Sequence, residues 1–213
     1  MDIVKYLTDK YHLDLSKRRV FIPDMGRDEL AHIFTLANFR VGVEIGTEKG
    51  KYARILLKNP ELKLFCVDPY RYYDSGQGYI PISQKKHFKH YIETFKRLSG
   101  YNLVILTEFS DDALDRFEDN SLDFVYIDGN HRLDYVVSDI VKWSVKVRVG
   151  GVIAGHDYIK LKGQCYNHIP YALEAYAGAY QLKNYFVLDN KKNDGSLEDA
   201  FKDRIRSWFF IKR

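Results

Sequence analysis

From about residue 41 the chain alternates short, mostly apolar runs that do not alternate with polar residues and longer stretches in which apolar residues recur every three or four positions. The runs are Val41–Ile45, Leu64–Val67, Leu103–Leu106, Leu122–Ile127 and Val149–Ala154. A run with no polar face predicts a strand covered on both sides. Between the runs, Leu133, Val136, Val137, Ile140, Val141 and Val145 fall on one helical stripe, and Phe88, Tyr91, Ile92, Phe95 and Leu98 on another. Gly100 is a plausible stop for the second helix. Ser110-Asp111-Asp112 reads as the N-terminal cap of a further helix.

Strand–helix alternation predicts an α/β fold, with a parallel sheet and helices on both faces. After the fifth run the pattern changes. A helix near Pro170–Tyr180 leads to apolar runs at Tyr185–Leu188 and Trp208–Ile211, separated by the polar stretch Asp189–Ser207. The last two runs are expected to pair antiparallel at the sheet edge, which brings the count to seven strands. Residues 1–40 read as two helices, around Asp2–Tyr11 and Arg27–Ala37, forming a small N-terminal extension or cap on a main domain of residues 41–213.

Composition narrows the class rather than the function. A length of 213 residues, 46% apolar and 29% charged, suits one globular domain. The 17 tyrosines could line a pocket, but a Tyr-rich core and surface is the plainer reading. A net charge of +4 and a pI of about 8.8 fall short of a nucleic-acid binder, and Lys17-Arg18-Arg19 and Lys85-Lys86-His87 read as solvated clusters. Cys66 sits in a buried strand and Cys165 in a loop, with no zinc or disulfide spacing, so reduced thiols and a cytoplasmic location are expected. The N-terminus has no signal-peptide core, no run is long enough to span a bilayer, and no membrane partner is expected.

Ligands of open α/β sheets bind beyond the C-terminal ends of the strands. The first main-domain strand ends Glu44-Ile-Gly46-Thr47-Glu48-Lys-Gly50, and the second ends at Asp68-Pro69, 22 residues after Gly46. Glycines in a strand-to-helix turn admit a ligand to the backbone, and an acid at that distance suits ribose hydroxyls. A dinucleotide site would have its second glycine where Glu48 stands, and a carboxylate there repels pyrophosphate. S-adenosylmethionine carries adenosine, a cationic sulfonium and an amino-acid tail, with no phosphate. Glu44 would then act on the tail's ammonium, and Ser110 is a candidate adenine contact. Glu-x-Gly-x-x-x-Gly followed by a strand ending in Asp resembles the class I methyltransferases, which implies a Rossmann-like sheet.

The fourth strand ends Asp128-Gly-Asn-His131, and the fifth leads through Gly150-Gly151 to Gly155-His156-Asp157-Tyr158. With Asp139 and Trp143 on the helix between, and Trp208-Phe-Phe-Ile-Lys212 at the end, this string resembles a bacterial and viral subgroup of small-molecule O-methyltransferases, a family-24-like pattern covering about residues 38–213. The resemblance implies methyl transfer to the hydroxyl of a sugar, phenol or natural product. Asp128 and Asp157 match the two acids of a catechol-type metal site. Tyr158 stands where that pattern has Asn, so His156 is the expected third ligand for Mg²⁺ or another divalent cation. His131 holds the position of that pattern's basic Lys and is the expected general base, with His156 second.

Three other readings follow from the same sheet. An NAD-dependent oxidoreductase is disfavoured by Glu48. A cofactor-binding module without catalysis would keep the fold. A nucleic-acid amino-methyltransferase would carry Asn/Asp-Pro-Pro-aromatic where this chain has Asp128-Gly-Asn-His131. The expected partner is a small-molecule acceptor, nucleic acid is not expected, and homo-oligomerisation stays open.

Overall fold

The computed structural model describes residues 1–73, 82–159, 167–189 and 205–213. Eight strands form one sheet: β1 (Arg19–Pro23), β2 (Val41–Ile45), β3 (Lys63–Val67), β4 (Leu103–Leu106), β5 (Leu122–Ile127), β6 (Val147–Tyr158), β7 (Tyr185–Asp189) and β8 (Arg206–Ile211). Their order is β1-β7-β8-β6-β5-β2-β3-β4. Only β8 runs against its neighbours, antiparallel to both β6 and β7. The mostly parallel, Rossmann-like sheet with an antiparallel last strand is therefore as expected, but it has eight strands, not seven. The extra strand is β1, parallel to β7, from the stretch between the two expected N-terminal helices, where no strand was expected. Only Val20 and Ile22 of β1 are buried, so its apolar signal is two alternate residues beside a basic cluster. The antiparallel pair β7–β8 also lies inside the sheet, because β1 covers the far side of β7.

Seven helices cover the sheet: α1 (Ile3–Tyr11), α2 (Arg27–Leu36), α3 (Lys51–Leu56), α4 (Gln84–Leu98), α5 (Ser110–Ala113), α6 (Leu133–Lys146) and α7 (Ile169–Ala179). The alternation of side chains explains why the strands lack a polar face. On β5, Phe124 and Tyr126 join a core with Leu7, Leu30, Phe34 and Leu56, while Val125 and Ile127 join another with Ile140, Trp143 and Leu173. Phe34 of α2 stacks on Phe124 with ring centroids 4.4 Å apart, so the N-terminal helices share the main core. Among the described residues, no helix is long and apolar enough to cross a membrane.

Two further expectations change. The stripe on α4 is only partly the packed face, with Leu98 buried and Tyr91 against Tyr70. Phe88 and Phe95 are exposed, while His87, His90, Thr94 and Leu98 face the protein. The fifth apolar run, read as Val149–Ala154, is the middle of the longer β6. Cys165, most of Asp189–Ser207 and most of the loop after Tyr73 lie outside the described residues. Cys66 is a buried free thiol.

The connections set the site. From β2 the chain moves outward through β3 to β4, and from β5 it moves the other way to β6. The switch lies between β2 and β5, paired through Ile45 and Ile127, and a crevice opens beyond the C-terminal ends of strands at such a point.

Candidate active site

The turn after β2 is built around close backbone contact. Gly46 has φ +82°, and a Cβ there would come within 2.2 Å of the Asp128 carbonyl oxygen, so only glycine fits. The Gly46 N–H donates to Val67 O and the Asp128 N–H to Ile45 O, each at 2.8 Å, which ties together the ends of β2, β3 and β5. Gly50, also left-handed, starts α3 against Thr94 and Leu98.

Glu44 and Thr47 are buried at this turn, and Glu44 Oε2 and Thr47 Oγ1 have no hydrogen-bond partner. Burial pushes the Glu44 carboxyl up to about 8, against the smaller pulls of the neighbouring Thr47 and the half-buried Arg27 guanidinium. Asp68 accepts from the N–H of Glu48 at 2.9 Å and of Tyr70 at 3.0 Å, one on each oxygen. Those bonds offset part of the rise that burial imposes on its pKa.

A cavity of about 690 Å³ lies over these strand ends, within the usual size of a small-molecule site. Gly46, Glu48, Asp68, Pro69, Ser110 and Asp128 all line it. Glu44, Thr47 and Gly50 do not; they support the turn from below. Ser110 is not a cap as expected: it is the first residue of α5, and its hydroxyl donates to Asp139 Oδ1 while accepting from Trp143 Nε1 at 2.8 Å. Asp139 and Trp143, four residues apart on α6, thus hold Ser110 at the cavity wall. Burial pushes the Asp139 carboxyl up to about 7, partly opposed by Ser110.

Asp128 belongs to a cluster of two acids and two imidazoles, and it alone of the four lines the cavity. His131 Nε2 lies 3.0 Å from Asp157 Oδ2 and 4.0 Å from Asp128 Oδ1. His156 Nδ1 lies 3.3 Å from Asp157 Oδ2 and 3.9 Å from Asp128 Oδ1. Neighbouring residues of a regular strand point to opposite faces. Here Asp157 is left-handed, φ +58°, where β6 shifts register against β8, so His156 and Asp157 can reach the same cluster. The backbone is pinned: Asn167 donates to Asp157 O at 2.8 Å, Trp208 to His156 O at 3.1 Å and the His168 N–H to His131 O at 2.9 Å. Burial opposes charge on Asp157, but hydrogen bonds from His131 and His156 outweigh it and hold that carboxyl below the usual range. Burial and the neighbouring Asp157 charge push Asp128 well above it. The pair therefore shares its charge unequally, with Asp157 ionised first.

A family model described as a methyltransferase domain matches residues 43–158, more than half of the chain. The chain belongs to this methyltransferase family. No curated protein matches it. Among solved structures it is similar to a Bacillus cereus O-methyltransferase in complex with S-adenosylhomocysteine, at TM-score 0.58 and 12% identity over 99% of this chain and 89% of that one. It is also similar to the O-methyltransferase TomG of Streptomyces achromogenes, solved with S-adenosylmethionine, at TM-score 0.57 and 14% identity over 87% and 79%. The N-methyltransferase NodS of Bradyrhizobium japonicum scores 0.56 at 11% identity over 87% and 94%. At these identities the likeness is one of fold, shared by proteins named for oxygen and for nitrogen acceptors.

The methyltransferase cavity also has a wall that strand-end motifs do not announce. Tyr73, His87, His90, Phe109, Asn130 and Tyr135 line it from loops and helices. Arg27, the first residue of α2, sits over the Tyr52 ring at 5.1 Å and exerts its charge on Asp128 and Tyr126. Its only advance signal was a position at a helix start. Asp139 and Trp143 were legible as a motif, but not their grip on Ser110.

A buried acid with a raised pKa stabilises the fold in its protonated form. Asp139 thus contributes fully below the unfolded carboxylate range, about 4, and the contribution is lost as pH rises through about 7. The isosteric Asp139→Asn should flatten this dependence. Between about pH 5 and pH 8 the melting temperature of the wild type should fall by about 3 °C more than that of the variant, for ~1 kcal/mol. Parallel melting curves would remove Asp139 as a titrating group.

Proposed function

We propose that this methyltransferase binds S-adenosylmethionine in the cavity and moves its methyl group to a hydroxyl of a small molecule such as a sugar, phenol or natural product. The observation that carries the reading is the continuity of one cavity, lined at once by Asp68 and the Ser110–Asp139 pair and by Asp128 of the acid–imidazole cluster. Adenosine would lie along the first group, with its ribose hydroxyls on Asp68, which keeps acceptor capacity beyond its two backbone bonds. The tail's ammonium would act on Glu44 through water, because Glu44 is buried in the turn and does not line the cavity. The two solved O-methyltransferases with S-adenosyl ligands support the choice of cofactor at the level of fold.

His131 is the preferred base because its side chain is 25% exposed against 11% for His156, and both bond the same carboxylate. As the acceptor oxygen attacks the methyl carbon in line with the breaking carbon–sulfur bond, its proton passes to the imidazole. Asp157 would orient the ring and stabilise the imidazolium. S-adenosylhomocysteine leaves with the electron pair of the broken bond.

A second reading is favoured by one distance set. Ligand atoms of Asp128, His131 and Asp157 all lie within 4.8 Å of one another, with His156 alongside. Tyr158 adds nothing here, since its hydroxyl accepts from Arg19 at 3.2 Å and lies 3.4 Å from the Tyr185 hydroxyl. Carboxylates with imidazoles suit a divalent cation that accepts nitrogen better than they suit Mg²⁺, which prefers oxygen. Such a cation would lower the pKa of the acceptor hydroxyl, and His131 would then hold the ion rather than take the proton.

Asp68→Ala should weaken S-adenosylhomocysteine binding by about tenfold or more in calorimetry, as expected for a lost charge-assisted bond; unchanged affinity would refute the ribose role. His131→Ala should slow transfer from labelled cofactor to a hydroxyl acceptor by about 10²-fold or more, with cofactor affinity nearly intact. A full-rate variant would remove His131 as base. Loss of wild-type activity on chelation, restored by a divalent cation, would favour the second reading over the first.

A further inference from the structure

The apolar stripe of α4 is split between protein and solvent: Leu98 is buried and Tyr91 meets the Tyr70 ring, but Phe88 and Phe95 are exposed. Phe88 is 61% exposed and Phe95 58%, with the half-buried Ile92 between them, and the three recur at helical spacing along one ridge. Single exposed apolar residues are ordinary, but three in one stripe are not scatter. By the same spacing, Lys85, Lys89 and Lys96 run along one flank of the stripe, all exposed. Lys86 and Arg97 lie further round the helix, and Glu93 is its only acid. The excess of cations on this one helix is as large as the +4 of the whole chain. The opposite face carries His87 and His90, which line the cavity.

A second copy of the same face would set cations against cations. A phosphate backbone would meet two phenyl rings at the crest of the ridge, and a peptide would find a convex surface rather than a groove. A bilayer with anionic headgroups satisfies both halves of the pattern: its interface accepts aromatic rings, and its phosphates accept the lysines. We propose that α4 docks this protein on an anionic phospholipid surface, with Phe88, Ile92 and Phe95 entering the headgroup boundary and Lys85, Lys89 and Lys96 at the phosphates. The absence of a spanning helix concerns the hydrocarbon core of a bilayer, whereas this face concerns its surface. Docked this way, the cavity would sit one helix thickness from the membrane.

The test is co-sedimentation of the full chain with vesicles of phosphatidylcholine alone or mixed with phosphatidylglycerol. Binding should favour the anionic vesicles by about tenfold or more and fall in about 0.5 M salt. Phe88→Ser with Phe95→Ser, and separately Lys85→Glu with Lys89→Glu, should each lower binding about tenfold, with melting temperature and circular dichroism unchanged because these side chains are exposed. In a Phe95→Trp variant, emission should shift to the blue on anionic vesicles. Equal or no binding to both vesicles would overturn the proposal, as would full retention in the Phe variant. Self-association or oligonucleotide binding abolished by the Phe changes, without vesicle binding, would assign the face to another partner and overturn it equally.

Discussion

Glu44 stands one residue from the end of the central strand β2, buried, with one carboxyl oxygen lacking any hydrogen-bond partner. Burial makes keeping it ionised cost more than protonating it, even with Arg27 nearby, so the free site holds it mostly neutral near pH 7. Around it the turn is tightly built, and the cavity lies on the turn's far side. Gly46 lets the backbone of the turn lie against Asp128, Asp68 is fixed by the N–H groups of Glu48 and Tyr70, and Arg27 tempers the acids from the side of α2. A ligand that brings an ammonium towards Glu44 and no phosphate to Glu48 answers this field.

The second half of the site uses the opposite device. Asp157 adopts a left-handed conformation that most side chains avoid but Asp tolerates, at a cost of about 1 kcal/mol or more. That twist can bring adjacent residues of one strand, His156 and Asp157, to a single cluster with Asp128 and His131. The hydrogen bonds from Asn167, Trp208 and His168 hold the backbone there. Backbone geometry thus sets the carboxylate–imidazole cluster that meets the cavity at Asp128, while desolvation sets Glu44 and Asp139.

Much of this was legible in the chain. Val41–Ile45, Leu103–Leu106 and Leu122–Ile127 are strands with those bounds, because sheet residues packed on both faces are mostly apolar on both. Gly46, Asp68, Ser110 and Asp128 were readable as strand-end residues and share one cavity. What escaped has physical reasons. β1 carries only two buried residues. The α4 stripe has the right period, but period does not say which side of it meets the protein, and His87, His90 and Thr94 pack beside Leu98 while Phe88 and Phe95 do not. Arg27 reaches Asp128 through the tertiary placement of α2, and Ser110 was read as a cap because a serine before a helix has two possible partners, backbone and side chain.

Calorimetry of S-adenosylhomocysteine binding at pH 7, repeated in buffers of different ionisation enthalpy, tests the role of Glu44 most directly. If a neutral Glu44 ionises as the ligand's ammonium acts on it through water, binding should release up to about one proton. Glu44→Gln should bind more weakly and remove that release. Binding without proton release in the wild type, or the same affinity and release in Glu44→Gln, would contradict it.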